Sequence, residues 1–598
     1  MENQKKEQDF LSRTIDFVFS NDKRKWLIPI FILGLFLRII VARNISALGD
    51  EMIHGTHAIG FLHSGLISTI LQSPLWFYLS DIVFQILPVT LFSLRFLSVF
   101  YGAFSIILIY LIGSRIFDKK IGLISAFLFS VSYFIIRYSL AEMDISAVFF
   151  LLMAVHFFLI ALENKKFPWL AAVCIGLAAL IKTLSLYFVP AFVVGFFLFS
   201  KKDDEDKRKR LKGSIKNIIY FGLIIILIFT PIIVHNYLWY KDKGQVDVYT
   251  AQYFKIEKSR QAYVGVAGFD ASFSYFIKRL PELFINMSVS IWHLDPVIVI
   301  LGILGIFFGF FIKEKRKFWI FLLVFEISGY FFLLISANLQ THETTLVPVL
   351  CLFGGFFIDK IAKKLSVINY KRIIFVIFAL ILIFQLFMLW PHLTGRSALS
   401  QMREYAVESM DKNSIVVVDA RIYRGRIAFL FNDFHYLESQ YFPQILDMNN
   451  NLTGTAIPIK AYFIEAVQDD YGWGTIKNQP EFNSSVEQMF NYLRNNSIKE
   501  KTFYGGGGYD DETGKPILSV YQTTINLKPQ VINLIDSTHD WFYYPVNYKP
   551  KEKIFDQYDV NGIFDNLLYK LVWLIIIISI ILASIAPCLA VYELYKQK

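Results

Sequence analysis

Long uninterrupted apolar runs dominate the pattern of hydrophobic and polar positions along the chain. A helix crosses the hydrocarbon core of a membrane when it contains roughly 17 to 25 predominantly apolar residues. About twelve runs reach or approach that length, so the sequence predicts a mainly α, polytopic membrane helix bundle. The predicted spans are 26–42, 95–116, 121–138, 144–162, 168–181, 185–200, 215–235, 295–312, 318–336, 345–359, 373–391 and 568–592.

The run from Pro74 to Val89 is also apolar, but we interpret it as an interfacial or half-inserted helix. Cytoplasmic loops of membrane proteins are enriched in Lys and Arg. Counting this run as a span would place Lys119–Lys120 and every later basic loop outside. With our interpretation, 43–94 lies outside and both termini are cytoplasmic. No cleavable signal peptide is expected, because the polar segment 1–25 precedes the first span and no small-residue cleavage pattern follows it.

A polar region, 392–565, separates the last two predicted spans and should lie outside. Ile415 to Ala420 reads as a buried strand that contains an acid, and Ile517 to Ile525 alternates as a strand, whereas Glu481 to Asn496 has helical spacing. These patterns predict a small extracytoplasmic α/β domain before the last helix. Gly505 to Gly508 is not framed by a strand and a helix, so we expect a flexible loop there and no phosphate cradle.

The spans and the charge pattern divide the chain into five segments. They are a cytoplasmic N-terminal segment (1–25), a first membrane module (26–200), a variable membrane module (201–391) with an outer loop (236–294), an outer domain (392–565), and a last helix with a cytoplasmic tail (566–598).

Composition supports a membrane protein and excludes other classes. Hydrophobic residues make up 55% of the chain and charged residues 18%, against about 25% charged residues in soluble proteins. A soluble enzyme, a disordered chain and a fibrous repeat are therefore excluded. The net charge of +10 is concentrated in the predicted cytoplasmic loops, so it indicates membrane orientation and no nucleic-acid partner.

The cysteines suggest a compartment. Cys174, Cys351 and Cys588 all lie in apolar runs, so none is placed to form a disulfide in an exposed domain. We therefore expect an integral protein of a prokaryotic plasma membrane.

Two acidic elements fall on the predicted outer face. Asp50 and Glu51 open the first outer loop beside His54, and Glu142 and Asp144 lie at a later outer turn. Acids at the membrane edge are costly and often functional. The structural alternatives are a solvated loop for the first pair and a helix N-cap for Asp144.

Acids on one face suit a group transfer from an anionic lipid donor. One carboxylate accepts the proton of an attacking hydroxyl, and a cation stabilises the departing phosphate. The candidate donor-phosphate ligands are Arg95, Arg137, Lys182 and His54. A divalent cation, Mn²⁺ or Mg²⁺, held by Asp50, Glu142 and Asp144 is the alternative.

One outer turn carries a further histidine and acid. This turn is Gln340-Thr341-His342-Glu343. Its histidine and acid could line the cavity of the site, but we interpret them as ordinary loop polarity.

The order of these motifs resembles the GT-C superfamily of polytopic membrane glycosyltransferases, most closely the branch of protein mannosyltransferases and aminoarabinose transferases. The motifs are Asp50-Glu51 after the first span, Ser73-Pro74-Leu75-Trp76 before the interfacial helix, Arg95-Phe96-Leu97-Ser98 opening the next span, and the stretch from Arg137 to Asp144. The resemblance covers roughly 26–200.

This resemblance implies an inverting transfer of a sugar from a polyprenyl-phosphate-linked donor at the extracytoplasmic face. Asp50 would be the catalytic base, and Glu51, Glu142 and Asp144 would complete the acidic site. The acceptor would be a protein, a lipid or a glycan. Many relatives have Lys or His before Pro-Pro-Leu, whereas this chain has Gln72-Ser73-Pro74-Leu75, so a phosphate-binding lysine cannot be assigned there.

Two alternatives remain open. The spacing of Glu142 and Asp144 is similar to that of the metal-binding acids in oligosaccharyltransferases, which indicates a metal-dependent enzyme of that kind. A transporter or flippase of lipid-linked sugars is the non-enzymatic alternative. It would favour charged groups near the bilayer midplane and an internal repeat.

Overall fold

The computed structural model describes most of the chain, and its elements are numbered here in chain order. The described residues are 23–47, 50–63, 65, 67–68, 72–140, 143–200, 207–256, 278, 281, 295–311, 315–335, 340–365, 370–419, 421–422, 424–467, 488, 490–507, 513–537 and 558–596.

Helices account for most of the described structure. Up to the end of the membrane modules they are α1 (Leu27–Asn44), α2 (Glu51–Ala58), α3 (Leu75–Ile86), α4 (Leu91–Ile116), α5 (Lys119–Val131), α6 (Tyr133–Tyr138), α7 (Met143–Glu163), α8 (Trp169–Ile181), α9 (Val189–Leu198), α10 (Lys207–Lys243), α11 (Val248–Phe254), α12 (Pro296–Gly309), α13 (Arg316–Ile335), α14 (Gln340–Glu343), α15 (Val347–Lys364) and α16 (Tyr370–Thr394). The later helices are α17 (Ala398–Ser409), α18 (Arg424–Leu430), α19 (Phe442–Asn451), α20 (Pro529–Ser537) and α21 (Ile563–Lys596).

Among the described residues, six helices are long and apolar enough to cross a membrane by length and composition. They are α1, α4, α7, most of α10, α16 and α21. Shorter apolar helices, including α3 and α8, lie between them. These helices confirm a mainly helical chain with membrane-length segments, whereas the count of about twelve spans stays a prediction.

The core of the membrane part lies around α4 and α7. In the most apolar 18-residue stretch of each helix, 83% of the stretch is buried in α4 and 89% in α7, whereas only 17% is buried in α16. Helix α4 packs against α1, α5 and α7. The two central helices are therefore shielded by protein, and the outward faces of α16 and α1 are left for lipid.

The predicted span 121–138 is two helices, α5 and α6, separated at Ser132. A break inside a membrane exposes backbone groups that need new partners. The Ser132 hydroxyl donates to Asp295 (2.7 Å), and the Tyr133 N–H donates to Gln385 (2.7 Å). Gln385 also donates to Asp295 (2.9 Å). These buried side chains stabilise the break.

The outer domain contains a five-stranded sheet in the order β2-β1-β3-β5-β4. Its strands are β1 (Ile415–Val418), β2 (His435–Glu438), β3 (Ile457–Ala466), β4 (Ile498–Tyr504) and β5 (Pro516–Leu527). Strand β1 pairs in parallel with β2 and β3, and β5 pairs antiparallel with β3 and β4. Both predicted strands, near 415 and 517, are present, which confirms the small sheet.

The outer domain is joined to the C-terminal end of α1 through hydrogen bonds of Asn44. Asn44 donates its side-chain amide to the carbonyls of His392 (3.1 Å) and Leu393 (3.2 Å), and the Ser397 N–H donates to the Asn44 carbonyl (2.7 Å). Gly507 has a φ of +77°, and a Cβ there would lie 2.4 Å from the Asn44 oxygen. This part of the four-glycine run is therefore packed rather than a flexible loop, because only glycine allows so close an approach.

A second contact places the outer domain on α2. A Cβ added to Gly55 of α2 would lie 2.6 Å from the ring of Phe429 in α18. Arg403 of α17 donates to the Val89 carbonyl of the membrane module (2.7 Å) and to the Leu430 carbonyl (2.5 Å). The outer domain thus rests on the helix that follows Asp50.

Candidate active site

Asp50 is the residue before the first turn of α2, and its carbonyl accepts the His54 N–H (2.9 Å). Its side chain is half-buried. Within residues 50–58, all of which the structure describes, the Asp50 carboxylate makes no capping hydrogen bond to its own helix. This carboxylate therefore does not act as the N-cap of α2.

Glu51, the next residue, forms a bidentate ion pair with Arg95 of α4. The Arg95 Nε lies 3.1 Å from Glu51 Oε1, and Nη2 lies 2.6 Å from Oε2. Both side chains are 0% exposed. Two parallel charge-assisted hydrogen bonds are the strongest arrangement for an Arg–carboxylate pair.

The remaining N–H groups of Arg95 bind the end of α1. Nη1 donates to the carbonyls of Ala42 (2.8 Å) and Ile45 (2.9 Å), and Nη2 donates to the Ser46 carbonyl (2.9 Å). The last carbonyls of a helix have no partners within the helix, so Arg95 caps α1. All five of its N–H groups are used, and Arg95 and Glu51 together fix the start of α2 rather than face a ligand.

Asp81 of α3 fixes the other end of α2. Its two carboxylate oxygens accept the N–H groups of Gly60 (3.1 Å) and Leu62 (2.8 Å), and the side chain is fully buried. Gly60 has a φ of +73°, which favours glycine at this turn. Helix α2 is therefore held at both ends by buried acids.

Asp144, Lys182 and His342 meet at a second cluster, which we call the Lys182 cluster. The Lys182 ammonium lies 2.6 Å from Asp144 Oδ2 and 3.0 Å from His342 Nδ1. His342 Nδ1 lies 3.3 Å from Asp144 Oδ1. Burial lowers the pKa of His342, and the neighbouring Lys182 lowers it further, so the imidazole is neutral at pH 7.

The Lys182 cluster is joined to the first outer loop. The hydroxyls of Ser73 and Thr183 are 2.6 Å apart, and Thr183 follows Lys182 directly. Ser73 belongs to the Ser-Pro-Leu-Trp motif before α3. Four segments that are distant in sequence, around 73, 144, 182 and 342, therefore converge at one place.

The other two candidate phosphate ligands have aromatic surroundings. His54 lies edge-on to Trp76 and Phe77, with ring centroids 6.1 and 6.4 Å apart. The Arg137 guanidinium lies 4.9 Å from the centroid of the Tyr138 ring and donates to the Tyr133 hydroxyl (2.5 Å). Arg137 is half-buried.

The described acids do not form a metal site. Within the part of the chain that the structure describes, no group of three His, Cys, Asp or Glu side chains could hold a metal ion. Glu142 lies outside the described residues. Asp144 is paired with a cation of the protein itself, because the Lys182 ammonium lies 2.6 Å from its Oδ2.

The sequence singles out Asp144 and Lys182, and the structure brings them together with His342, for which the sequence favours loop polarity over a place in the site. It gives no reason to single out Asp81, which holds the end of α2. The sequence offers only one local signal for each residue. His342 is a histidine between polar residues, and Asp81 is an acid inside an apolar helix. Their partners are 160 and about 20 residues away in sequence.

Comparison with protein families agrees with the motif resemblance. Residues 71–235 match the model of the dolichyl-phosphate-mannose-protein mannosyltransferase family. The matched segment contains Ser73, Arg95, Asp144 and Lys182, and Asp50 precedes it. This match confirms the resemblance to the GT-C glycosyltransferases and, with the membrane-length helices, indicates an integral membrane protein.

Individual relatives are more distant. A protein of Aquifex aeolicus (strain VF5), described only as uncharacterized, is 27% identical over 191 residues, which are 30% of this chain and 38% of that protein. The chain is also similar to the structure of ArnT from Cupriavidus metallidurans bound to undecaprenyl phosphate, with 10% identity, a TM-score of 0.47 and coverage of 83% of this chain and 98% of that one.

The oligosaccharyltransferase of Archaeoglobus fulgidus, in complex with Zn and sulfate, is similar over 68% of this chain and 61% of its own, with 16% identity and a TM-score of 0.44.

Proposed function

We propose that this chain is an integral membrane glycosyltransferase that moves a sugar from a polyprenyl-phosphate-linked donor to a hydroxyl or amide of a protein, lipid or glycan acceptor. The observation that carries this proposal is the convergence of Ser73, Asp144 and Lys182 within the segment matched by the mannosyltransferase family. We place the reaction at the extracytoplasmic face, in a prokaryotic plasma membrane, because these residues lie at the helix ends opposite the basic loops.

Asp50 acts as the general base in the proposed reaction. Its carboxylate accepts the proton of the acceptor group as the acceptor oxygen or nitrogen forms a bond to the anomeric carbon. The bond between that carbon and the phosphate oxygen breaks on the opposite side, so the configuration inverts. The electron pair leaves with the polyprenyl phosphate. The Glu51–Arg95 pair holds α2, and with it Asp50, in place.

Lys182 supplies the positive charge for the departing phosphate. A preorganised cation stabilises charge that develops on a leaving group more effectively than water does. Lys182 is 5% exposed and is bound to Asp144, so its charge is held in place before the donor arrives. The residue after it, Thr183, is hydrogen-bonded to Ser73, which belongs to the motif in which many similar enzymes have a lysine or histidine.

The Lys182 contact favours this assignment over the metal-dependent alternative. In an oligosaccharyltransferase-like site, Asp144 would bind Mn²⁺ or Mg²⁺, whereas here its carboxylate is bound to an ammonium group. We therefore propose that transfer does not require an added divalent cation.

Transfer assays test the proposal directly. Purified protein is incubated with radiolabelled polyprenyl-phosphate sugars and membrane extract, and the labelled product is identified. Asp50→Asn should reduce transfer by at least about 100-fold, the usual contribution of a general base, while the protein remains folded. The control is Glu408→Gln, which changes an exposed carboxylate of α17 and should transfer like the wild type.

Two outcomes contradict the assignment. Wild-type-like transfer by Asp50→Asn would exclude Asp50 as the base. Loss of transfer on chelation, restored by Mn²⁺ or Mg²⁺, would contradict the role of Lys182 as the cation and favour the metal-dependent alternative.

A further inference from the structure

His342 is the member of the Lys182 cluster to which the proposed reaction gives no role. It lies in α14, whose conformation is fixed by the following residues. The Thr344 hydroxyl donates to the Thr341 carbonyl (2.6 Å), and the Thr345 hydroxyl donates to the His342 carbonyl (2.9 Å). The His342 side chain is only 12% exposed. Its backbone and its side chain are therefore both held in place.

The chemistry of the three groups determines the direction of the contact between Lys182 and His342. An ammonium group donates hydrogen bonds and accepts none. The Lys182 Nζ lies 3.0 Å from His342 Nδ1, nearer than the Asp144 oxygens at 3.3 and 3.4 Å, so the shortest contact of Nδ1 is a hydrogen bond that Nδ1 accepts. A neutral imidazole that accepts at Nδ1 carries its proton on Nε2.

The geometry also shows what His342 does to Lys182. A lysine side chain has considerable rotamer freedom, and its ammonium group has no planar preference of the kind that orients arginine. Asp144 alone would fix one direction of hydrogen bonding. His342 accepts from a second direction, which defines the position of the ammonium group instead of leaving it to rotate about the carboxylate.

We infer that His342 is a positioning residue for the proposed sugar transfer, holding the Lys182 ammonium through Nδ1 in the orientation that receives the donor phosphate. This inference rests on the proposed function. The donor then meets a preformed cation, which lowers the entropic cost of binding. His342 itself need not touch the donor.

Three substitutions of His342 distinguish the contribution of Nδ1 from that of Nε2. His342→Asn places an amide oxygen near the position of Nδ1 and can accept from Lys182. His342→Gln places its amide near the position of Nε2, and His342→Leu offers neither contact. The control is His63→Leu, which removes an exposed histidine of the predicted outer face and should leave transfer unchanged.

The measurements are KM for the donor and kcat in the transfer assay, and the affinity for polyprenyl phosphate without a sugar in detergent micelles. We expect His342→Leu and His342→Gln to raise KM about tenfold and to weaken binding of polyprenyl phosphate by a similar factor. We expect kcat to change less than about threefold, and His342→Asn to stay within about threefold of the wild type in both measurements.

The controls keep failure of the inference separate from failure of the proposed function. Wild-type values for His342→Leu, or recovery by His342→Gln but not by His342→Asn, would overturn the positioning role through Nδ1. A wild type that binds polyprenyl phosphate but transfers no sugar would overturn the proposed function alone, and the binding data would still test the positioning of Lys182. A wild type without either property would overturn both.

Discussion

The buried pair of Glu51 and Arg95 allows a quantitative test of how α2 is held. Glu51→Gln keeps the size and shape of the side chain but removes its charge. It leaves the Arg95 guanidinium without a compensating carboxylate and turns an amide N–H toward a guanidinium N–H. Both side chains are fully buried, so water cannot replace the lost partner.

Breaking a buried ion pair by removing one partner costs about 3–5 kcal/mol. Glu51→Gln should fall at the lower end, because Arg95 keeps its bonds to the carbonyls of α1. Arg95→Gln should fall at the upper end, because it also removes the cap of α1. The control is Glu404→Gln, which breaks a pair with Arg396 in which both side chains are partly exposed. A pair of that kind contributes about 0–1 kcal/mol.

The assay is unfolding of the purified protein in detergent, followed by tryptophan fluorescence, for the single variants and for the double variant Glu51→Gln/Arg95→Gln. If the charge imbalance causes the loss, the double variant should lose less unfolding free energy than the two single variants lose together. The difference should be at least about 1 kcal/mol. A Glu51→Gln protein within about 0.5 kcal/mol of Glu404→Gln would refute the reasoning. Complete loss of transfer by folded Glu51→Gln would give Glu51 a chemical role.

Two further predictions concern the outer domain. Gly507→Ala should destabilise the protein by at least about 1 kcal/mol more than Gly514→Ala in the same assay. Both positions have φ +77°, but of the two only Gly507 has backbone atoms within reach of a new Cβ. Equal losses of stability would contradict the packed junction. Burial opposes the ionisation of Asp433, yet Arg403 and Lys412 lower the pKa of Asp433. The stabilisation is therefore present above the pKa of unfolded Asp and is lost as the pH falls through the lower pKa of the folded state. Asp433→Asn should cost about 1–2 kcal/mol near pH 7. Its difference from the wild type should shrink in unfolding curves as the pH falls below the ordinary Asp pKa of about 3.9, and a difference independent of pH would contradict this ion pair.

The long helices were predictable because the membrane imposes a local rule. A span must satisfy its own backbone hydrogen bonds, so the apolar run at 144–162 agrees with α7 (Met143–Glu163). The break at Ser132 was not predictable in this way. It depends on Asp295 and Gln385, which are 163 and about 250 residues away, and no local pattern reveals such partners.

The candidate site also has a part that the local sequence predicts and a part that depends on distant contacts. The position of Asp144 at a helix start and the pair Asp50-Glu51 could be read from the sequence. Which acid faces which cation could not, because the Glu51–Arg95 contact spans 44 residues and the Asp144–His342 contact spans 198. The sequence therefore singles out these acids and cations but cannot separate those that hold the structure from those to which we assign a chemical role.

The junction at Asn44 also bears on how the protein is made. Its side chain bonds to the His392 carbonyl, 348 residues later in the chain. At a synthesis rate of roughly 5 to 20 residues per second, that separation corresponds to roughly 17 to 70 seconds. Throughout this interval the Asn44 side chain lacks the His392 and Leu393 carbonyls that it binds in the finished protein. The junction between α1 and the outer domain can therefore form only after both membrane modules have been synthesised.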